Sequence, residues 1–241
     1  MQLPEMRDYD EIKSQLELKV PEFYNFGFDV IEKRAIEQDK TAFIAVDGPG
    51  ESIKHYAFSD LDLASNQFAN ALLSTDTQKG DFAFVMLPRI PEWYFIMIGC
   101  CKLGVVTMPG TNLLTAKDIE YRINISKAKL VIVNSENADK VDEIRHQCPT
   151  LETFIVIGEP REGWLTYSEI TSASSGVLDK SKLEPSRSSD LMIIYFTSGT
   201  TGMPKMVPRD QSYAFAHKIT GRYWMDLDAD DVHWTVSDTG W

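Results

Sequence analysis

Short apolar runs alternate with amphipathic stretches along most of this chain. Pro21 to Gln38 has helical apolar spacing through Phe23, Phe26, Val30 and Ile31, and Thr41 to Val46 then reads as a strand. Asp47-Gly-Pro-Gly50 is a turn from which Ser52 to Phe58 pairs back as a hairpin. Ser59 with Asp62 three residues on has the form of a capping box, opening a helix through Phe68 and Leu72. Phe82 to Leu87 predicts a buried strand, Pro91 to Lys102 a helix with proline in its first turn, and Val105 to Met108 a second strand. Thr115 and Asp118 start another helix, Leu130 to Val133 predicts a strand, Ser135 to Gln147 a helix and Thr153 to Ile157 a strand. Strands alternating with helices argue for a parallel sheet covered on both faces.

Thr171 to Asp190 is rich in serine and lacks clear periodicity, so it reads as a loop or linker. Beyond it comes the apolar run Leu191-Met-Ile-Ile-Tyr-Phe196, a buried strand by its length and its β-branched and aromatic content. Asp210 to Trp224 then predicts a helix and Val232 to Val236 a final strand. The expected fold class is α/β, with two mostly parallel sheets flanked by helices. Residues 1–170 form a first α/β subdomain, 171–190 a linker, and 191–241 the start of a second subdomain.

The strand at 191–196 runs directly into Thr197-Ser-Gly-Thr-Thr-Gly-Met-Pro-Lys205. Two glycines let the backbone curl so that several N–H groups point inward. Four hydroxyls can donate to phosphate oxygens, and a lysine adds a point charge. This is chemistry suited to polyphosphate, although Ser/Thr/Gly runs also occur as plain surface turns. The spacing is not that of the Walker loop, because Gly199 and Gly202 lie too close together and Met206 stands where a magnesium-binding hydroxyl would be.

T-S-G-T-T-G-x-P-K resembles the signature of the adenylate-forming superfamily of acyl-CoA synthetases, luciferases and peptide-synthetase adenylation domains. Leu87-Pro-Arg-Ile-Pro-Glu-Trp93, Met108-Pro-Gly-Thr111, Ser126-Lys-Ala-Lys129 and Trp234-Thr-Val-Ser-Asp-Thr-Gly-Trp241 are similar to medium-chain acyl-CoA synthetases in particular. The resemblance implies the N-terminal part of the adenylate-forming fold and an ATP-binding loop over Thr197 to Lys205, Met203 and Pro204 included. Thr197, Ser198, Thr200 and Thr201 would contact phosphate oxygens, Gly199 and Gly202 would give bend and close approach, and Lys205 would stabilise charge during catalysis. It further implies ATP, magnesium and coenzyme A as co-substrates, and a medium-chain fatty or aromatic carboxylic acid activated as acyl-AMP. By analogy with long-chain relatives, Trp241 would border the acid or pantetheine channel; the alternative for its large ring is a core anchor. Asp238 is expected to fix its turn by bonding its own backbone.

A net charge of −12 with no basic cluster argues against sustained nucleic-acid binding. The longest apolar stretch, around Trp93 to Cys101, is too short to span a bilayer, and the charged opening lacks a signal-peptide core. Cys100, Cys101 and Cys148 lack metal or redox spacing, and the four histidines are scattered, so no metal site is expected. These features together point to a cytoplasmic protein.

Two departures from the family pattern stand out. Many relatives carry a histidine four positions after the loop lysine, where this chain has Arg209, a cation of different shape and proton chemistry. The family's ribose-binding aspartate and its C-terminal-domain lysine do not occur here. The expectation is therefore an N-terminal portion of a longer synthetase, inactive by itself and prone to self-association through apolar surface near Trp234 and Trp241. A non-catalytic nucleotide- or acyl-binding protein and an amino-acid adenylation domain remain alternatives.

Overall fold

The computed structural model of the chain describes residues 9–48, 52–197 and 202–240. Its helices are α1 (Tyr9–Gln15), α2 (Lys33–Glu37), α3 (Phe58–Leu73), α4 (Pro91–Leu103), α5 (Ala116–Ser126), α6 (Ser135–Ile144), α7 (Tyr167–Ser172) and α8 (Ser212–Ile219). Its strands are β1 (Thr41–Asp47), β2 (Ser52–Ala57), β3 (Phe82–Met86), β4 (Val106–Pro109), β5 (Leu130–Asn134), β6 (Thr153–Ile157), β7 (Leu165–Thr166), β8 (Leu191–Thr197) and β9 (Lys205–Asp210). Strands β1 and β2 form the expected antiparallel hairpin. The other seven form one sheet in the order β7-β6-β5-β3-β4-β8-β9, parallel except for the antiparallel β8–β9 pair.

The sheet forms because β3 is apolar at every position and β4 and β5 nearly so, Thr107 and Asn134 being their polar members. Phe84, Met86, Val106, Met108, Val131 and Val133 pack on one face against Ile119 and Ile123 of α5 and Val141 of α6. Ala83, Val85, Leu130 and Ile132 pack on the other against Phe68 and Leu72 of α3 and Ile96 and Cys100 of α4. Successive strand residues point to opposite faces, so continuous apolar runs are what a two-sided sheet requires. The α/β class and the mostly parallel, helix-flanked sheet are thus as the sequence predicts. One arrangement differs from expectation: β8 lengthens this same sheet. Its Ile193 pairs with Thr107 of β4 and its Ile194 joins the core beside Val106 and Met108, so burial of its apolar face is satisfied there.

Local signals account for most of the helix boundaries. Thr115 accepts from the Asp118 N–H while the Asp118 carboxylate accepts from the Thr115 N–H and hydroxyl, closing a capping box at the expected start of α5. These bonds hold the Asp118 carboxyl below the usual carboxylate range. The box expected at Ser59 and Asp62 is replaced two residues earlier by half of one, where Asp60 accepts from the Ala57 N–H at 2.8 Å and alanine has no side-chain acceptor to return. Within the expected linker, residues 175–177 are held along α3, whose Asn66 and Asn70 side-chain amides donate to the carbonyls of Gly176, Ser175 and Val177.

Asp62 is occupied elsewhere. Lys102, with its side chain fully buried at the end of α4, donates to Asp62 Oδ1 at 2.7 Å, Ser65 Oγ at 2.9 Å and Asn66 Oδ1 at 2.7 Å. Burial lowers the lysine pKa and the Asp62 carboxylate opposes the shift. Three acceptors for three ammonium protons make burial of the charge tolerable. Asp62→Ala removes the counter-charge and is expected to cost about 3 kcal/mol, the lower end for a broken buried pair because Asp62 keeps some contact with water. Urea unfolding of the purified chain checks this; an unchanged midpoint would show that Ser65 and Asn66 suffice to hold the ammonium.

Candidate functional site

Strands β8 and β9 are adjacent and antiparallel, with Phe196 opposite Met206 and Thr197 opposite Lys205. The hydroxyl- and glycine-rich segment therefore spans the open end of a paired hairpin, and Thr197 and Lys205 stand across its mouth. Gly202, Met203 and Lys205 are exposed, and a Cβ at Gly202 would meet nothing within 4 Å. Ser198, Gly199, Thr200, Thr201 and Trp241 lie outside the described residues. Arg209 sits further along β9, exposed, with its guanidinium 5.5 Å from the centre of the Tyr213 ring.

Helix α5 supports both stems of this loop, a contribution that the sequence reading did not find. The Tyr121 hydroxyl donates to the Pro204 carbonyl at 3.0 Å. At the next residue, the Arg122 guanidinium lies 5.1 Å from the centre of the Phe196 ring and donates to the Asp118 carbonyl at 2.9 Å. Burial lowers the Arg122 pKa, Asp118 opposes it, and arginine remains a cation throughout. Met203 lies against a shallow groove on the same helix, beside Tyr121, Asn124 and Ile125. The only sequence signal was indirect: the Thr115–Asp118 box fixes where α5 starts, but nothing local says that its next turn faces residues some eighty positions later.

A second concentration of backbone lies at the carboxyl ends of β3 and β4. The chain leaves β3 for β4 on one side and later returns to place β5 on the other, so these ends form a topological switch point, where open α/β sheets bind ligands. The Thr239 hydroxyl donates to the Leu87 carbonyl at 2.5 Å, just beyond β3. Asp238 Oδ1 accepts from the Gly240 N–H at 2.8 Å, the backbone bond expected of that aspartate. Gly240 packs directly on the Gly110–Thr111 peptide, and a Cβ there would come within 2.6 Å of Thr111 Cα. The strand expected at Val232 to Val236 is not formed: these residues are exposed and pair with no strand among the described residues. The two pieces of the Leu87 and Met108 motifs and the last motif thus meet in space.

Among the described residues, no group of three or more His, Cys, Asp or Glu is placed to hold a metal ion, and no helix is long and apolar enough to cross a membrane.

The family model for AMP-binding enzymes matches residues 32–241. The chain belongs to the AMP-binding enzyme family. Its similarity extends over 97% of the chain to the mitochondrial acyl-coenzyme A synthetases ACSM3 of Mus musculus and ACSM4 of Rattus norvegicus, each 38% identical. The chain spans only 41% of the length of these curated relatives. Among solved structures it is similar to a Brucella canis acyl-CoA synthetase, with a TM-score of 0.80 and 25% identity over 98% of this chain and 42% of that one. It is also similar to the anthranilate CoA ligase AuaEII in complex with anthranoyl-AMP, with a TM-score of 0.74 and 27% identity over 84% of this chain and 38% of that one. These findings correct the expected cytoplasmic location, because the relatives are named as mitochondrial. Free cysteines argue against an oxidising compartment but do not tell one reducing compartment from another.

In this AMP-binding enzyme the Gly240 contact generates a prediction. Gly240→Ala forces a methyl group into the Gly110–Thr111 peptide, so the 237–240 segment is expected to lift and the Thr239–Leu87 bond to open. Hydrogen–deuterium exchange reads this directly as faster exchange across residues 237–240. Unaltered protection in that variant would show that the segment is held by something other than this contact.

Proposed function

We propose that this protein is an AMP-forming acid–thiol ligase that activates a medium-chain fatty or aromatic carboxylic acid as acyl-AMP and passes the acyl group to coenzyme A. The observation that carries this reading is the hairpin mouth: a glycine- and hydroxyl-rich loop between paired strands, with Lys205 facing Thr197, in a chain of the AMP-binding enzyme family. A carboxylate is a poor electrophile. Its attack on the α-phosphorus of ATP forms a mixed anhydride and releases pyrophosphate; the thiol of coenzyme A then attacks the acyl carbon and AMP leaves. In this reading Thr197, Ser198, Thr200 and Thr201 donate to phosphate oxygens. Gly199 and Gly202 let the backbone approach, and Lys205 stabilises charge passing to the leaving pyrophosphate. Magnesium accompanies the triphosphate as part of the substrate.

Several further assignments belong to the same proposal. Trp241 borders the acid or pantetheine channel, next to the segment seated at the β3–β4 switch point. Residues 191–241 begin a second subdomain beyond the 171–190 segment, with β8 and β9 joined to the edge of the first sheet. The protein works in the mitochondrion, as its relatives are named to do.

Lys205→Ala in the full-length protein is expected to lower acid-dependent ATP–pyrophosphate exchange by roughly tenfold to a thousandfold, the range for removing one charge-stabilising donor. Exchange is assayed with medium-chain acids, aromatic acids and amino acids in parallel. Preference for an amino acid would favour an adenylation domain instead, and undiminished exchange in the variant would remove Lys205 from the mechanism.

The 241 residues purified by themselves are expected to form no acyl-CoA, since they span 41% of the relatives' length. They are also expected to self-associate through Trp224 and Trp234, 80% and 81% exposed. Incubation with ATP, magnesium, coenzyme A and the acid panel tests the first point, and sedimentation velocity the second. Thioester above a no-protein control would show that the catalytic set is complete within this chain.

A further inference from the structure

Strand β8 ends at Thr197 and β9 starts at Lys205, so the connection between them is long for a hairpin. Its described end is nevertheless tied down from outside the hairpin. Tyr121 of α5 donates its hydroxyl to the carbonyl of Pro204, the residue just before Lys205. Pro204 cannot offer an N–H, so this carbonyl is its one backbone polar group, and the tyrosine engages it. The neighbouring Arg122 spreads its guanidinium over Phe196, the residue just before Thr197. Adjacent residues of one helix turn therefore hold both stems of the loop at the level where Thr197 and Lys205 face each other. Helix α5 is itself fixed, by its capping box at Thr115 and by Ile119 and Ile123 in the core.

We propose that Tyr121 is a positioning residue for the phosphate loop: through Pro204 it sets the height of Lys205 at the hairpin mouth, with Arg122 bracing the opposite stem. This inference rests on the reading of the loop as the ATP-phosphate site. Tyr121 touches neither nucleotide nor acid in this scheme. It fixes the Pro204 backbone and with it the place of Lys205 opposite Thr197, so its loss is felt in nucleotide affinity and not in acid recognition.

Tyr121→Phe in the full-length protein removes the hydroxyl and keeps the ring on the α5 groove. The KM for ATP in pyrophosphate exchange is expected to rise about two- to tenfold, the size of one neutral hydrogen bond, with the KM for the acid unchanged. Thermal unfolding is measured alongside, because a purely structural tyrosine would lower the melting temperature and leave the two KM values in their original ratio. Arg122→Lys, which removes the planar guanidinium from Phe196, is expected to raise the same KM. The double variant Tyr121→Phe/Lys205→Ala supplies a cycle: a tyrosine acting through Lys205 gives less than additive loss. An unchanged KM for ATP in Tyr121→Phe, or full additivity in the cycle, overturns the inference. Undiminished exchange in Lys205→Ala alone would instead overturn the reading of the loop on which it rests.

Discussion

Burial of β3 on both faces is the constraint from which the rest of this structure follows. Phe84 and Met86 face one helical layer while Ala83 and Val85 face the other, and all four are inaccessible to water. A strand of this kind must have partners on both edges and helices on both sides, because its amide groups and its side chains all lie away from solvent. Strands β4 and β5 supply the edges. The result is that the carboxyl ends of β3 and β4 open at the centre of the sheet, where crossing connections leave a crevice. Strand β8 runs parallel to β4, so the mouth between Thr197 and Lys205 opens on the same edge of the sheet, and the doubly buried strands hold the loops there.

The parts legible in the sequence are those governed by neighbours along the chain. Alternation of apolar runs and amphipathic stretches located β3 to β6 and α3 to α6, and the Thr115–Asp118 pair fixed the start of α5 within a residue. The loop string from Thr197 to Lys205 stands out in the sequence by its residue types alone, and the chemistry proposed for it rests on those types. Val232 to Val236 shows the limit. A β-branched, alternating pattern reads as a strand, yet strand formation requires an edge to pair with, and no described strand offers one there. The sheet membership of β8 was equally hidden, since a buried strand looks the same in one sheet as in another until Ile193 is seen opposite Thr107.

Lys102 was hidden for a related reason. In sequence it ends an apolar helix as an ordinary C-terminal lysine, favourable to the helix dipole. In the fold it points into α3 and joins the two helices that cover one face of the sheet, with three side-chain acceptors gathered from a single helix turn and a half. Polar joints of this kind are specified by three-dimensional coincidence. The same holds for Tyr121 on Pro204 and Thr239 on Leu87, each a bond between residues far apart in the chain.

All three cysteines of the chain are free and buried. Burial raises the pKa of the Cys100 and Cys101 thiols, and that of Cys148 to about 11, so thiolate is scarce in the folded protein at neutral pH. An acyl adenylate is an acylating agent, and coenzyme A is a thiol that forms mixed disulfides with accessible cysteines. A chain whose every sulfhydryl is shielded offers no thiol of its own to intercept the activated acyl group and no partner for disulfide exchange with the carrier. For the proposed reaction, the packing that builds the core also keeps the thiols of these 241 residues out of competition with coenzyme A.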